Sequence, residues 1–192
     1  MKKIACLLGS PRLKSNSEII ARGITASAES LGATAEFFRL YKLDYSGCIA
    51  CMGCKKTSDE CVLRDDLTEV LRKVREADVL IVAAPIYFAG LPGPLKSVID
   101  RMYSYLNPSY LQGVDVSRLA PGKKCVFVLT QGAPDEEAFA DVFPPYESFF
   151  GPHWFGYEMH LLRGVGLSVP GAAADHAELM ESAAELGEQL MQ

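Results

Sequence analysis

The sequence predicts an α/β fold, a three-layer doubly wound sheet of five parallel strands. Three observations carry that expectation. Short, continuous apolar runs alternate along the chain with longer stretches whose apolar residues recur every three to four positions. Strands that alternate with helices are joined by right-handed crossovers, which makes the sheet parallel and covers both its faces. The chain is also one domain in size: 192 residues, 1–192, with no internal repeat, low-complexity tract or linker.

Ile4 to Leu8 reads as a buried first strand, and a helix follows from about Ser15 to Leu31 with Ile20, Ile24, Ala28 and Leu31 on one face. Thr34 to Leu40 is a second strand, less purely apolar and so nearer a sheet edge. Asp66 to Ala77 is a helix with Leu67, Val70, Leu71 and Val74 in register, and Asp66 and Glu69 are spaced for a capping box. Val79 to Ala84 is the clearest buried strand; Leu95, Val98, Ile99, Met102 and Leu106 mark the next helix. Lys124 to Thr130 is a fourth strand and Tyr157 to Leu162 a weaker fifth. A last helix from Asp175 aligns Leu179, Ala183, Leu186 and Leu190. Between Ala133 and Gly156, Pro, Phe, Tyr and the single Trp crowd an irregular stretch expected to carry a helix. Phe149, Phe150, Trp154 and Phe155 there read as exposed, suiting a lid or an oligomer contact as well as core packing.

Composition excludes several classes. Lys and Arg number 19 against 24 Asp and Glu, a net charge of −5 that disfavours nucleic acid and anionic membranes as partners. With 49% hydrophobic and 22% charged residues, the chain is packed rather than disordered. No apolar run reaches the roughly 18 residues of a membrane span. The apolar stretch after Met1-Lys2-Lys3 is too short for a secretory leader, so a cytoplasmic protein is expected.

In such a sheet, ligands bind at the carboxyl ends of the strands, and three loops fall there. Gly9-Ser10-Pro11-Arg12-Leu13-Lys14-Ser15-Asn16-Ser17-Glu18 joins the first strand to the first helix. Ser15 and Glu18 fit a capping box, and the helix N-terminus favours an anion. Ser10, Arg12, Ser15, Asn16 and Ser17 add hydroxyl, amide and guanidinium donors. With one glycine and no Gly-Lys-Ser/Thr, the loop is neither a dinucleotide fingerprint nor a nucleotide-triphosphate loop; it suits a terminal phosphomonoester such as that of FMN. Pro85-Ile86-Tyr87-Phe88-Ala89-Gly90, after the third strand, combines a sharp turn with an aromatic wall, as a flat ring needs. Thr130-Gln131-Gly132 follows the fourth strand and closes the other side.

The six cysteines divide by setting. Cys6 and Cys125 lie in apolar runs and read as small buried hydrophobes. Cys48, Cys51, Cys54 and Cys61 crowd a loop at about 44–64 in a C-x2-C-x2-C-x6-C pattern. Successive x2 spacings wrap a compact inorganic core, which favours a [4Fe–4S] cluster over structural zinc, where two well-separated pairs are usual; zinc or free thiols are the alternatives. Lys55, Lys56 and Arg64 offer charge to offset such a cluster. His153, His160 and His176 read as ordinary surface or core residues, Asp65 and Asp66 as a helix start with a solvated carboxylate, and Asp100-Arg101 as an intrahelical or intersubunit salt bridge, with a flavin contact the lesser option.

Gly9-Ser10-Pro11-Arg12 with Ser15-Asn16-Ser17, Ala84-Pro85-Ile86-Tyr87, and Leu95-Lys96 through Asp100-Arg101 resemble the NAD(P)H-dependent FMN reductase-like branch of the flavodoxin-like superfamily. The resemblance implies strand order 2-1-3-4-5, a phosphate held by Ser10, Arg12, Asn16 and Ser17, and an isoalloxazine against Pro85 to Gly90. Joined to the cysteine run, it is similar to the iron–sulfur flavoproteins, which pass electrons between a cluster, FMN and partners such as ferredoxin. The expected activity is therefore an FMN-dependent oxidoreductase, with NAD(P)H or a ferredoxin-like donor, NAD(P)H binding only transiently, no catalytic side chain, and a homodimer or homotetramer. A cluster-free NAD(P)H-dependent FMN or quinone reductase is one alternative. A non-catalytic flavin-binding carrier with a structural or zinc-binding cysteine loop is the other.

Overall fold

The computed structural model describes residues 1–192. In chain order its principal elements are β1 (Lys3–Leu8), α1 (Asn16–Ser30), β2 (Thr34–Arg39), α2 (Gly53–Lys56), α3 (Leu67–Glu76), β3 (Val79–Pro85), α4 (Gly93–Arg101), β4 (Lys124–Thr130), α5 (Pro144–Phe150), β5 (Glu158–Gly164) and α6 (Ala177–Gln189). The five strands form one sheet in the order β2-β1-β3-β4-β5, and every pairing is parallel. β1, β3 and β4 are buried almost throughout, whereas the edge strands β2 and β5 are only half-buried. Central strands covered on both faces are uniformly apolar for that reason.

Alternate side chains of the central strands feed two cores. Ile4, Cys6 and Leu8 meet Ile20 and Ile24 of α1 and Leu179 and Ala183 of α6 on one face. Ala5 and Leu7 meet α3, α4 and the aromatic segment on the other. Val142, Phe143, Phe150 and Phe155 belong to that second core, so much of the segment is packing. Phe150 is fully buried and Phe155 nearly so, contrary to the exposed face expected of them; Phe149 alone of the four is exposed, stacked on Trp154 with ring centroids 4.7 Å apart.

Several local expectations shift. Leu31 caps α1 and is exposed rather than in the core stripe. α4 ends at Arg101, and a 3-10 turn over Met102–Tyr105 carries the chain to Leu106, which is buried but not helical. α6 starts at Ala177, with His176 as its N-cap accepting from the Leu179 N–H. The Asp66–Glu69 capping box does not form: Asp66 has helical backbone angles and accepts from the Asp44 N–H, while Glu69 pairs with Arg72. Asp65 takes the cap instead, accepting from the Leu67 N–H at 3.1 Å. No helix is long and apolar enough to cross a membrane.

Candidate functional site

Parallel strands end together, so the turns after β1, β3 and β4 meet at one rim. Ser10, Arg12, Ser15 and Asn16 of the first turn, Pro85, Ile86 and Tyr87 of the second, and Thr130, Gln131 and Gly132 of the third line one cleft of about 140 Å³. Leu167, Ser168 and Pro170, after β5, complete it and were not anticipated; the small polar run there carries no motif. Ser17, Phe88, Ala89 and Gly90 lie beside the cleft rather than in its lining.

The cleft floor is the start of α1. Ser15 Oγ accepts from the Glu18 N–H at 3.3 Å, half of the expected capping box. The other half is missing because the buried Glu18 carboxylate turns to Arg22 and Arg39, at 2.9 and 2.5 Å. Burial raises the Glu18 pKa, but the two guanidinium groups outweigh it and hold it below the ordinary carboxylate value. The Asn16 and Ser17 N–H groups find no protein acceptor and sit at the positive end of the helix dipole. The Asn16 side chain is committed elsewhere: its amide donates to Leu167 and Val169 carbonyls and its oxygen accepts from the Ala173 N–H. Gln131 is committed likewise, between Ala133, Asp135 and Arg163. Both amides shape the cleft, and what remains for an anion is backbone N–H, the Ser10 and Ser15 hydroxyls and Arg12.

Tyr87 and Gly90 exchange both backbone hydrogen bonds, at 2.9 and 3.0 Å, across a two-residue turn. That turn places Phe88 and Ala89 at φ 45° and 55°, a left-handed conformation disfavoured for side-chain-bearing residues. Their N–H groups are unpartnered, and Phe88 is fully exposed. A strained turn offering free N–H groups and an aromatic face is suited to gripping a flat polar ring.

The cysteine loop leaves the same rim after β2. Ala50 and Met52 adopt positive φ, which curls the chain, and no N–H from Cys48 to Cys54 donates to a protein acceptor. Gly53 is required where α2 meets Val62, since a Cβ would lie 2.6 Å from a Val62 methyl carbon. All four cysteines line one small, mostly apolar cavity with Arg101, Tyr103 and Ser104. No three thiols, carboxylates or imidazoles converge on a single-ion position. Zinc needs sulfurs only ~3.8 Å apart, as tetrahedral bonds of about 2.3 Å dictate.

Three cations seat this loop, and only one was anticipated. Lys55 Nζ donates to the Tyr103 and Leu106 carbonyls at 2.5 and 2.7 Å and lies 4.0 Å from the Tyr103 ring centroid. Arg118 bridges the Cys54 and Ser104 carbonyls at 2.9 and 2.8 Å. Arg101 is fully buried and pairs with Asp65, so Asp65 is not a solvated carboxylate; Asp100 pairs with Lys96 instead. Consecutive helical residues face different directions, so Asp100 and Arg101 do not pair with each other within α4, and the intrahelical bridge is the one from Asp100 to Lys96. Burial works against the Arg101 charge, but Asp65 and the Cys61 sulfur outweigh it and raise its pKa. Lys56 is exposed, and Arg64 reaches only the Cys61 carbonyl, at 3.1 Å. Beside the loop, α4 and α5 flank a groove of about 540 Å³ with Cys48, Tyr146 and Phe149 in its walls.

Comparison with known proteins follows the same lines. Residues 2–134 match the family model of NADPH-dependent FMN reductases. An iron–sulfur flavoprotein of Methanocaldococcus jannaschii is 34% identical over 99 residues, 52% of this chain and 51% of that protein. One from Archaeoglobus fulgidus is 28% identical over 188 residues, 98% of this chain and 78% of that protein. The matched stretch thus spans about half the length of the Methanocaldococcus relative. The fold is shared with an FMN-dependent NADH-azoreductase from Bacillus anthracis solved in complex with FMN, at TM-score 0.74 and 16% identity over the whole of both chains. It is shared too with an NAD(P)H:quinone oxidoreductase from Methanothermobacter marburgensis, at TM-score 0.70 and 20% identity over 99% of this chain and 96% of that one.

Proposed function

Because the chain belongs to the family of NADPH-dependent FMN reductases, we propose that it is an FMN-dependent oxidoreductase that passes electrons between a donor, FMN and a [4Fe–4S] cluster. The observation that carries this reading is the meeting of the β1, β3 and β4 turns in one cleft whose floor holds two unpartnered N–H groups at the start of α1. That floor, with Arg12 and the Ser10 and Ser15 hydroxyls, suits the FMN phosphate. The Tyr87–Gly90 turn suits the isoalloxazine, with the Phe88 and Ala89 N–H groups toward its polar edge. Bound there, FMN supplies one- and two-electron chemistry, and the protein's part is to place and tune it. The exposed Tyr87 and Phe88 rings leave a face open for NAD(P)H to stack transiently; a ferredoxin-like donor is the other source of electrons. No side chain is needed as nucleophile or general base.

Cys48, Cys51, Cys54 and Cys61 would ligate the cluster, which supplies single-electron transfer. The donor chemistry supports this: four thiols line one cavity, a run of free N–H groups spans Cys48–Cys54, and the Arg101 charge is buried beside them, although the cavity, about 20 Å³, must widen around a cluster. Such surroundings stabilise an anionic group. The half-exposed Phe149 and the α4–α5 groove are suited to a subunit contact in a homodimer or homotetramer. A cluster-free NAD(P)H-dependent FMN or quinone reductase is the second reading, favoured by the exposure of Cys48 and Cys51. Anaerobic purification followed by flavin and iron analysis tests both. One FMN and about four irons per chain, lost in Cys51→Ala, are expected; iron-free yellow protein that rapidly oxidises NADPH supports the second reading, and colourless protein that takes up no FMN overturns both.

A further inference from the structure

Arg101 is a charged residue with no exposed surface, placed at the end of α4 directly beneath the cysteine loop. A guanidinium is costly to bury, and its polar atoms must be satisfied. Its Nη1 donates to the Ser46 carbonyl at 3.3 Å and to the Asp65 carboxylate, and its Nη2 donates to the Leu63 carbonyl at 3.2 Å. Ser46 precedes the first cysteine and Leu63 follows the last, so a single side chain clasps both ends of the segment that holds all four thiols. Asp65 strengthens the clasp by also accepting from the Ser46 N–H at 3.3 Å.

One atom of this group is left over. Arg101 Nε is buried without any hydrogen-bond partner, although every other polar side-chain atom in the molecule's interior except the Tyr157 hydroxyl has one. Arg101 is also in the wall of the cavity that the four cysteines line. An unpaired N–H on a buried, charged side chain is unfavourable by itself and favourable beside an anionic sulfur.

We propose that Arg101 is the positioning residue of the cysteine loop: it clasps the loop's two ends and presents a buried N–H and a positive charge to the iron–sulfur group within. The proposal rests on the cluster reading above and adds a residue outside the cysteine motif to it. Positive charge and hydrogen bonds to sulfur favour the reduced, more negative state of a cluster, so they raise its reduction potential.

Arg101→Met and Arg101→Lys separate the two roles when compared with wild-type protein, full chain and FMN-loaded. Unchanged FMN content marks correct folding of the variants. Limited trypsin digestion before iron is added reads the clasp: nicking between Lys55 and Arg64 is expected to be several-fold faster in Arg101→Met and intermediate in Arg101→Lys. Anaerobic loading with ferrous iron and sulfide, followed by a redox titration, reads the charge: Arg101→Met is expected to hold several-fold less iron and to titrate at lower potential, and Arg101→Lys to recover potential more than it recovers loading. Equal nicking rates overturn the clasp, and equal potentials overturn the electrostatic role. Wild-type protein that takes up no iron overturns the cluster reading, and the electrostatic role with it, while the digestion still decides the clasp. A Met variant that loses FMN as well as iron assigns Arg101 to the general stability of the fold and overturns the proposal unless the Lys variant keeps FMN while its loop is nicked faster.

Discussion

The Asn16 amide donates to the Val169 carbonyl at 2.9 Å, joining the first residue of α1 to the loop after β5 across 153 positions of sequence. The same carboxamide reaches the Leu167 carbonyl and the Ala173 N–H, so it stitches one wall of the anion cleft to its floor. Replacing it removes three hydrogen bonds together, two of them buried and one part-buried. Asn16→Asp keeps the shape but turns a donor toward two carbonyls into an acceptor. It is expected to cost about 2–4 kcal/mol of stability, more than Asn16→Ala, as read from urea denaturation midpoints.

Arg12 differs, because it lines the cleft and is exposed at its mouth. Arg12→Ala is expected to leave the denaturation midpoint within error. FMN binding should weaken by about 1.5–3 kcal/mol, the worth of a charged hydrogen bond, roughly 10- to 150-fold in Kd by calorimetric titration. Unchanged FMN affinity would remove Arg12 from the phosphate site.

Glu18 makes stability depend on pH. Its carboxyl titrates below the ordinary value of 4.5 in the folded chain, because Arg39 and Arg22 outweigh the effect of burial. A depressed folded pKa contributes stability that is complete above the unfolded value and disappears as pH falls through the folded one. Wild-type protein should therefore melt above Glu18→Gln at neutral pH. The gap should close on acidification below about pH 4.5, measured as the difference in Tm across a pH series.

Tyr157 is buried beneath the aromatic segment with a hydroxyl that has no partner. Removing an unsatisfied buried hydroxyl relieves its desolvation. Tyr157→Phe is expected to raise stability by about 1 kcal/mol, seen as a higher Tm with an unchanged spectrum of any bound flavin.

Gly187 sets the approach of α6 to α1. A Cβ there would lie 2.3 Å from the Ile24 carbonyl and 2.8 Å from Ser27 Cβ. Alanine is the better helix former by about 1 kcal/mol, but overpacking against backbone outweighs that gain. Gly187→Ala is expected to lose about 2 kcal/mol net, by denaturant titration.

Much of the fold was legible because its signals are local. Val79–Ala84 and Lys124–Thr130 are continuous apolar runs, and a run buried on both faces has nowhere to sit but the middle of a sheet. The three turns of the cleft were legible too, since parallel strands must end on a common rim. Less legible were the roles of individual polar side chains. Asn16 and Gln131 read as ligand donors from their positions, yet both spend their amides on neighbouring loops. Arg101 sits in a helix whose apolar spacing says nothing of a buried charge, and Arg118 lies in a stretch without a motif.

The order of apolar and polar residues alone determined the parallel sheet, the rim where its turns meet and the clustering of four cysteines beside that rim. Only the tertiary structure decided which charges face those cysteines, which amides are already spent and which N–H groups stay free. The reason is physical: burial of an apolar run depends on its own composition, whereas the pairing of a polar group depends on whatever distant segment is folded against it.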